Sequence, residues 1–467
     1  MTPHTRVIKL GSIVLSMASF VTVGALFSDD VSSQVARFAA HDPGVRPGSP
    51  SAGAMMPGLT PSEEKAFGIG MEAFLEVASV QGTIPDTEAG LGPRFNLDSC
   101  AGCHTHPGIG GTSPAINPQV EVATKERANN EIPPFIKKDG PIREARFKFN
   151  PDGTPDGGVH ALFTITGRDD APGCFLLQPD FRTAIARQNV VFRIPTPLFG
   201  AGLIEAIDDD VVLANMQAHS AMKQSLGIRG RANKLTGRPN TSGNDGTVSR
   251  FGWKAQNKSL ELFSGEAYNV EQGVTTDLFP QERDEAPACR FNQTPESVTN
   301  YEATDPLEVP NDVVKFAVFM RFLAPPTPAP DTGTIVRGRK LFGDVGCAMC
   351  HTPTLRTGKS SVEALRDKDV NLYSDLALHN MGPSLADDIS QGNAGGDEFR
   401  TAPLWGLGKR IFFLHDGRTQ DLVEAIQAHA SFGGHQYLPS EANQVVGQFN
   451  RLNEIDKQHV LNFLRAL

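Results

Sequence analysis

Read for its apolar and polar positions, the chain offers few long apolar runs. The first covers residues 10–27 and follows a basic start, Arg6 and Lys9. Small residues at Val23-Gly24-Ala25 and the polar Ser28-Asp29-Asp30 close it. A basic segment, an apolar stretch and small residues make residues 1–27 an export signal. The run approaches spanning length, so an uncleaved anchor is the alternative. Both place the body of the chain outside the cytoplasm, and no later apolar run has that length. Residues 28–58, rich in Ser, Pro, Gly and Ala, read as a linker. A second apolar stretch, 313–323, predicts a helix that closes a domain. The Pro-rich stretch 323–333 cannot continue it, so a boundary is expected near 328. Residues 159–164 and 190–192 are strand-like and bounded by Gly, Pro and Asp, which predicts a small sheet or hairpin of no assigned place. Residues 422–429 predict a helix.

Length changes this picture by requiring more than one core: 467 residues suit two or three domains. With 46 Gly and 34 Pro, much of the chain should be loop. The net charge of −10 argues against a nucleic-acid binder and favours a basic protein partner.

Four of the six cysteines lie in two C-x-x-C pairs, each followed at once by His. These are Cys100-Ala101-Gly102-Cys103-His104 and Cys347-Ala348-Met349-Cys350-His351. This is the attachment signature of c-type haem. Two thiols at that spacing reach the two vinyl groups on one porphyrin edge, and the adjacent His swings under the ring to ligate iron. A thioredoxin-type pair needs no following His, and a zinc site groups ligands by four. Haem is attached outside the cytoplasm, so motif and leader agree. Cys174 and Cys289 remain, and in an oxidising compartment a disulfide between them is expected, with two buried thiols as the alternative.

The two sides of residue 328 match each other. Gly70-x-x-x-Phe74 precedes the first motif and Gly338-x-x-x-Phe342 the second. Residues 193–200, beginning Arg193-Ile194-Pro195, follow the first, and 400–406, beginning Arg400-Thr401-Ala402-Pro403, follow the second. Leu260 stands seven residues past Trp253, and Leu422 seven past His415. The expected fold is mainly α: two cytochrome c-like haem domains related by internal duplication, 59–328 and 329–467. Large loop insertions and a little β belong to the N-terminal one.

On these residues the chain resembles the bacterial di-haem oxidoreductases, a family placed with the di-haem cytochrome c peroxidases and MauG-like enzymes. The matching stretches are 90–96 (Gly90-Leu91-Gly92-Pro93-Arg94-Phe95-Asn96), 198–207, 250–254, 381–387, 400–408 and 413–418. The likeness runs from about residue 60 onward and is looser to the peroxidases proper. It implies a periplasmic enzyme with two covalently bound haems, the N-terminal one catalytic and the C-terminal one for electron transfer. The name thiol oxidoreductase used within the family gains no support from cysteines engaged in this way.

His104 and His351 are then the proximal iron ligands. In the peroxidases a Met fourteen residues past the His-Asp-Gly motif ligates the electron-transfer haem, and here that position is His429. Imidazole in place of thioether should lower the potential. His435 is the local competitor, with His379 and Met381 weaker ones. The matching position of the N-terminal half is Ala267, beside Tyr268. An open iron that can take peroxide or dioxygen is therefore expected there. Glu271 resembles the distal acid/base Glu of the peroxidases, able to take a proton from peroxide and return it to the leaving oxygen. Trp253 resembles the indole that lies between their haems and could relay an electron; a packed core aromatic is the alternative. Arg193 and Arg400 are read as structural or as partners of the haem propionates. His415 and Asp416 are read as a turn beside the second haem. The peroxidases also carry calcium between the haems, for which no ligands are assigned.

The leading expectation is a peroxidase-type oxidoreductase. A small cytochrome or other redox protein would give electrons to the C-terminal haem, and the N-terminal haem would reduce hydrogen peroxide. The alternatives are MauG-like or oxygenase-type oxidation of a protein or organic substrate, and a non-enzymatic electron carrier.

Overall fold

A computed structural model describes residues 39–234, 248–283 and 286–467. The leader or anchor read over 1–27 lies outside the described residues. Among those described, no helix is long and apolar enough to cross a membrane.

Two helix pairs organise the two halves. In the first, Pro61–Leu75 crosses Asp312–Phe322, the helix expected from the 313–323 run. Thr60 starts the former: its hydroxyl accepts the Glu63 N–H, and the Glu63 carboxylate accepts the Thr60 N–H at 2.7 Å. In the second, Gly333–Asp344 crosses Glu454–Ala466, capped by Thr332 and Asn453. Both crossings are close because glycine sits at the contact. A Cβ on Gly70 would lie 2.5 Å from the Lys315 carbonyl oxygen, and one on Gly338 would run into that of His459. One turn on, the paired Phe fills the crossing. Phe74 packs on Phe319 at 4.6 Å, and Phe342 on Phe463 at 5.4 Å, between ring centroids. Burying each ring stabilises its pair by roughly 1.5–3 kcal/mol.

Strand is sparse. The main sheet orders Val159–His160, Glu144–Phe147 and Val190–Arg193, antiparallel, with Glu144 opposite Arg193. The strand-like run 159–164 is split: Phe163–Thr164 leaves this sheet and pairs with Arg94–Phe95. The Cys174–Cys289 disulfide joins segments 115 residues apart beside this sheet's apolar core.

Residues 39–58 bind across both halves. Asp42 makes a buried two-pronged pair with Arg465, at 2.7 and 2.6 Å, and also accepts the Leu422 N–H. Met56 then donates to the Phe322 carbonyl. The Pro-rich 323–333 stretch runs alongside, with Ala324 donating to Ala54 and Thr327 to Ser51. A small apolar cluster of Ile194, Trp253, Phe399 and Phe412 closes the seam between the halves.

Two candidate haem sites

The first motif is built on a single helical turn, Cys100–Cys103, whose N-cap Ser99 accepts the Gly102 N–H. His104 follows and is buried; its Nδ1 donates to the Gly111 carbonyl oxygen at 3.1 Å, and the Thr196 backbone also lies within hydrogen-bonding reach of the ring. Burial lowers its pKa to about 4, so the ring is neutral, the form that ligates. Phe74 meets it edge-on at 6.2 Å. The second motif repeats this pattern. His351 Nδ1 donates to the Tyr373 carbonyl at 3.0 Å, and Phe342 lies 6.3 Å from the ring. Burial and then the nearby charge of His429 lower His351 to about 4.

Each motif opens onto its own cavity. The first, about 120 Å³, is lined by Cys100, Cys103, His104, Tyr268 and Glu271. From the helix Leu260–Gln272 it receives Ala267 and no imidazole or thioether. Its one thioether, Met320, comes from the helix that packs Phe316 against Phe74 on the His104 side. The second, about 230 Å³, is lined by Cys347, Cys350, His351 and His429. His429 ends the helix Leu422–Ala428, and its Nδ1 donates to the Ala425 carbonyl at 2.7 Å, which leaves Nε2 toward the cavity.

The other imidazoles sort themselves out. His379 is clamped between Asp375 at 3.0 Å and Glu441 at 2.8 Å, one carboxylate per ring nitrogen, so neither nitrogen is free to ligate. His435 is exposed and away from the lining, whereas Met381 lines the second cavity. His415 stacks on Phe399 at 4.3 Å, and Asp416 pairs with Arg418 in the adjoining turn.

The donor set of both sites suits haem. Neither C-x-x-C pair is closed as a disulfide, and all four cysteines border a cavity. Arg143 Nε and Gln256 Oε1 are buried in the first lining with no partner, polar atoms left for an absent polar group. In the second, Arg400 and Arg410 are both lowered to about 10 by burial, Arg400 also by the charge of Arg410, and no carboxylate offsets them. Buried guanidiniums without anions suit a pair of propionates. Arg193 is taken up differently: it pairs with Asp387 at 2.7 Å, and Lys254 reaches the same carboxylate at 3.0 Å. That buried triad ties the halves together. Among the described residues there is no group of three or more His, Cys, Asp or Glu that could hold a metal ion.

Trp253 lines both cavities. Its indole Nε1 donates to the Ile194 carbonyl at 2.9 Å, and its ring lies 6.4 Å from that of His415. Glu271 faces the first cavity, where burial, then the charges of Glu144 and Glu266, push its pKa up to about 8 against the pull of Arg146. At neutral pH it therefore holds a proton. Of the two steps expected of it, this favours donation.

The residues that sequence reasoning missed here are Arg143, Glu144, Arg146, Gln256 and Arg410. One signal was present: Glu144-Ala145-Arg146-Phe147 alternates polar and apolar, the period of a strand with one face covered.

In comparisons with known proteins, the family profile described as "Di-haem oxidoreductase, putative peroxidase" matches residues 151–467, more than half of the chain. No curated relative matches it in sequence. Among solved structures, the diheme peroxidase BthA from Burkholderia thailandensis E264 is similar at 16% identity and a TM-score of 0.29, over 46% of this chain and 65% of that one. A MauG-like protein associated with microbial copper homeostasis matches at 16% identity and 0.28, over 58% and 89%. Kuenenia stuttgartiensis hydrazine synthase matches at 18% identity and 0.26, over 50% and 69%.

Proposed function

Since the chain belongs to the di-haem oxidoreductase family, we propose that it is an exported, periplasmic peroxidase. It would pass electrons from a C-terminal haem site to an N-terminal one, where hydrogen peroxide is reduced. Haem at the two sites would supply the redox-active iron, one centre to receive electrons and one to meet peroxide. The observation that carries this reading is the asymmetry of the cavities. The second is bordered by His351 and His429, each with Nδ1 tied to a backbone carbonyl, and also by His379 and His415; the first is bordered by one imidazole, His104, and by a carboxyl group, Glu271.

The protein's own residues would act as follows. Cys100, Cys103, Cys347 and Cys350 anchor the haems as thioethers, and His104, His351 and His429 ligate. Arg143, Arg400 and Arg410 receive propionates. Reduction of hydrogen peroxide takes two electrons and two protons and yields two waters, and Glu271 gives one of those protons to the leaving oxygen. Trp253, bordering both cavities, joins the sites electronically. A net charge of −10 suits a small basic cytochrome as electron donor. The matched Gly-x-x-x-Phe crossings and the matched His–carbonyl bonds support descent of the two halves from one duplicated unit.

The test is anaerobic. The holoprotein is reduced by one electron, mixed with one equivalent of hydrogen peroxide, and its haem spectrum followed by stopped flow. Reoxidation within milliseconds is expected. No change over minutes overturns the proposal.

A further inference from the structure

The small sheet supplies one wall of the first cavity. Along Glu144–Phe147 the side chains alternate. Ala145 and Phe147 enter the apolar core with Phe181 and Phe192, while Glu144 and Arg146 border the cavity. Arg193, opposite Glu144 in register, shares that face. One strand thus brings a carboxylate and a guanidinium to a cavity that already contains the Glu271 carboxyl.

Two features fix their charges. Arg146 Nε holds Glu144 Oε1 at 2.6 Å, and Arg146 NH1 donates to the Gly157 carbonyl at 2.9 Å. The guanidinium is buried and doubly tied, so it cannot turn to neutralise Glu271. The Glu271 carboxyl, for its part, accepts no hydrogen bond from any described residue, although its backbone oxygen is held by Asn96 at 2.7 Å. A carboxylate without donors beside a fixed negative charge is disfavoured, and its protonated form is preferred.

We infer that Glu144, held by Arg146, is a positioning residue of the N-terminal site: its fixed negative charge keeps the proton on Glu271. The inference rests on Glu271 as the proton donor of the proposed reaction. Of the other charged groups, Arg143 borders the same cavity with its Nε unpartnered and is the group assigned above to a propionate. Glu266, on the same helix, accepts from Asn257 and adds negative charge. Arg283 is tied to the Val270 and Val159 carbonyls, at 2.9 and 2.8 Å. Arg193 is committed to Asp387. Glu144 is the one of these acids whose charge lies on the cavity wall itself.

The experiment titrates the carboxylic-acid carbonyl band of the holoprotein by infrared difference spectroscopy. E271Q identifies the band by deleting it; a band that survives E271Q overturns the inference. E144Q should move its midpoint to lower pH, with the Glu271 proton affinity falling about tenfold. R146Q should move it to higher pH, and E144D should restore most of the original value. A midpoint unmoved in both E144Q and R146Q overturns the inference. Haem content and circular dichroism report folding, and R146Q stands if E144Q does not fold. The two proposals fail separately. Peroxide reduction with an unmoved midpoint sinks only the role of Glu144. A moving midpoint in a protein inert to peroxide sinks only the peroxidase reading.

Discussion

The indole nitrogen of Trp253 donates to the carbonyl oxygen of Ile194 at 2.9 Å, while the Ile194 N–H donates to the His415 carbonyl at 2.8 Å. Ile194, which borders the first cavity, is thereby held between Trp253, which borders both, and His415, which borders the second. W253F should leave the Ile194 carbonyl unpaired and cost about 1–3 kcal/mol of stability. If the indole also carries electrons, W253F should slow transfer between the haem sites by about tenfold or more in stopped flow, a barrier increase above roughly 1.4 kcal/mol. An unchanged rate with reduced stability would leave Trp253 a packing residue.

On the proposed reading, Glu271 should set the pH dependence of the first site. Its pKa is raised to about 8 by burial and by Glu144 and Glu266. A proton donor of this kind is loaded below that value and empty above it. The rate constant with peroxide should stay level through neutral pH and fall as pH rises through about 8. E271Q should lower it by about 10²–10⁴-fold and flatten the profile. A profile that keeps its alkaline limb in E271Q would assign that limb to another group.

If His429 ligates as proposed, it is the lever on the second site. H429A should convert the C-terminal haem from a low-spin to a high-spin ferric signal in electron paramagnetic resonance. H429M should keep it low-spin and raise its reduction potential, because thioether favours ferrous iron relative to imidazole. A spectrum unaffected by H429A would exclude His429 as a ligand.

The glycine crossings are a packing test independent of haem chemistry. G338A drives a methyl group into the His459 carbonyl, and G70A meets Lys315 and Phe319. Each should cost about 1–3 kcal/mol through helix displacement, seen as a lower denaturant midpoint. Gly343, on the same helix as Gly338 but in open space, is the control: G343A should not destabilise.

What was legible in the sequence had to be local. A haem attachment motif needs its thiols and imidazole at fixed spacing, so Cys100, Cys103, His104 and their counterparts stand out. The helix ending at Phe322 was visible for a similar reason, as an unbroken apolar run stopped by proline. The wall strand was not. Glu144 and Arg146 look like surface charges, because their burial comes from Val190–Arg193 and Leu260–Gln272, far away in the chain. Arg410 was hidden likewise. Its lack of an anion is evident only when every neighbour is in place. The split of 159–164 between two sheets is also tertiary, since each half of the run takes a different partner strand.

Asp42 and Arg465 are 423 residues apart, and their buried pair fastens residues 39–58 across both halves. A ribosome delivers the first long before the second, so this clasp can close only after the intervening chain, with both halves' helix pairs in large part, has been made. Both Cys-x-x-Cys-His segments have emerged by then, with their thiols reachable while the clasp is open. On the proposed reading, the order of manufacture gives haem attachment a window before the fold is sealed.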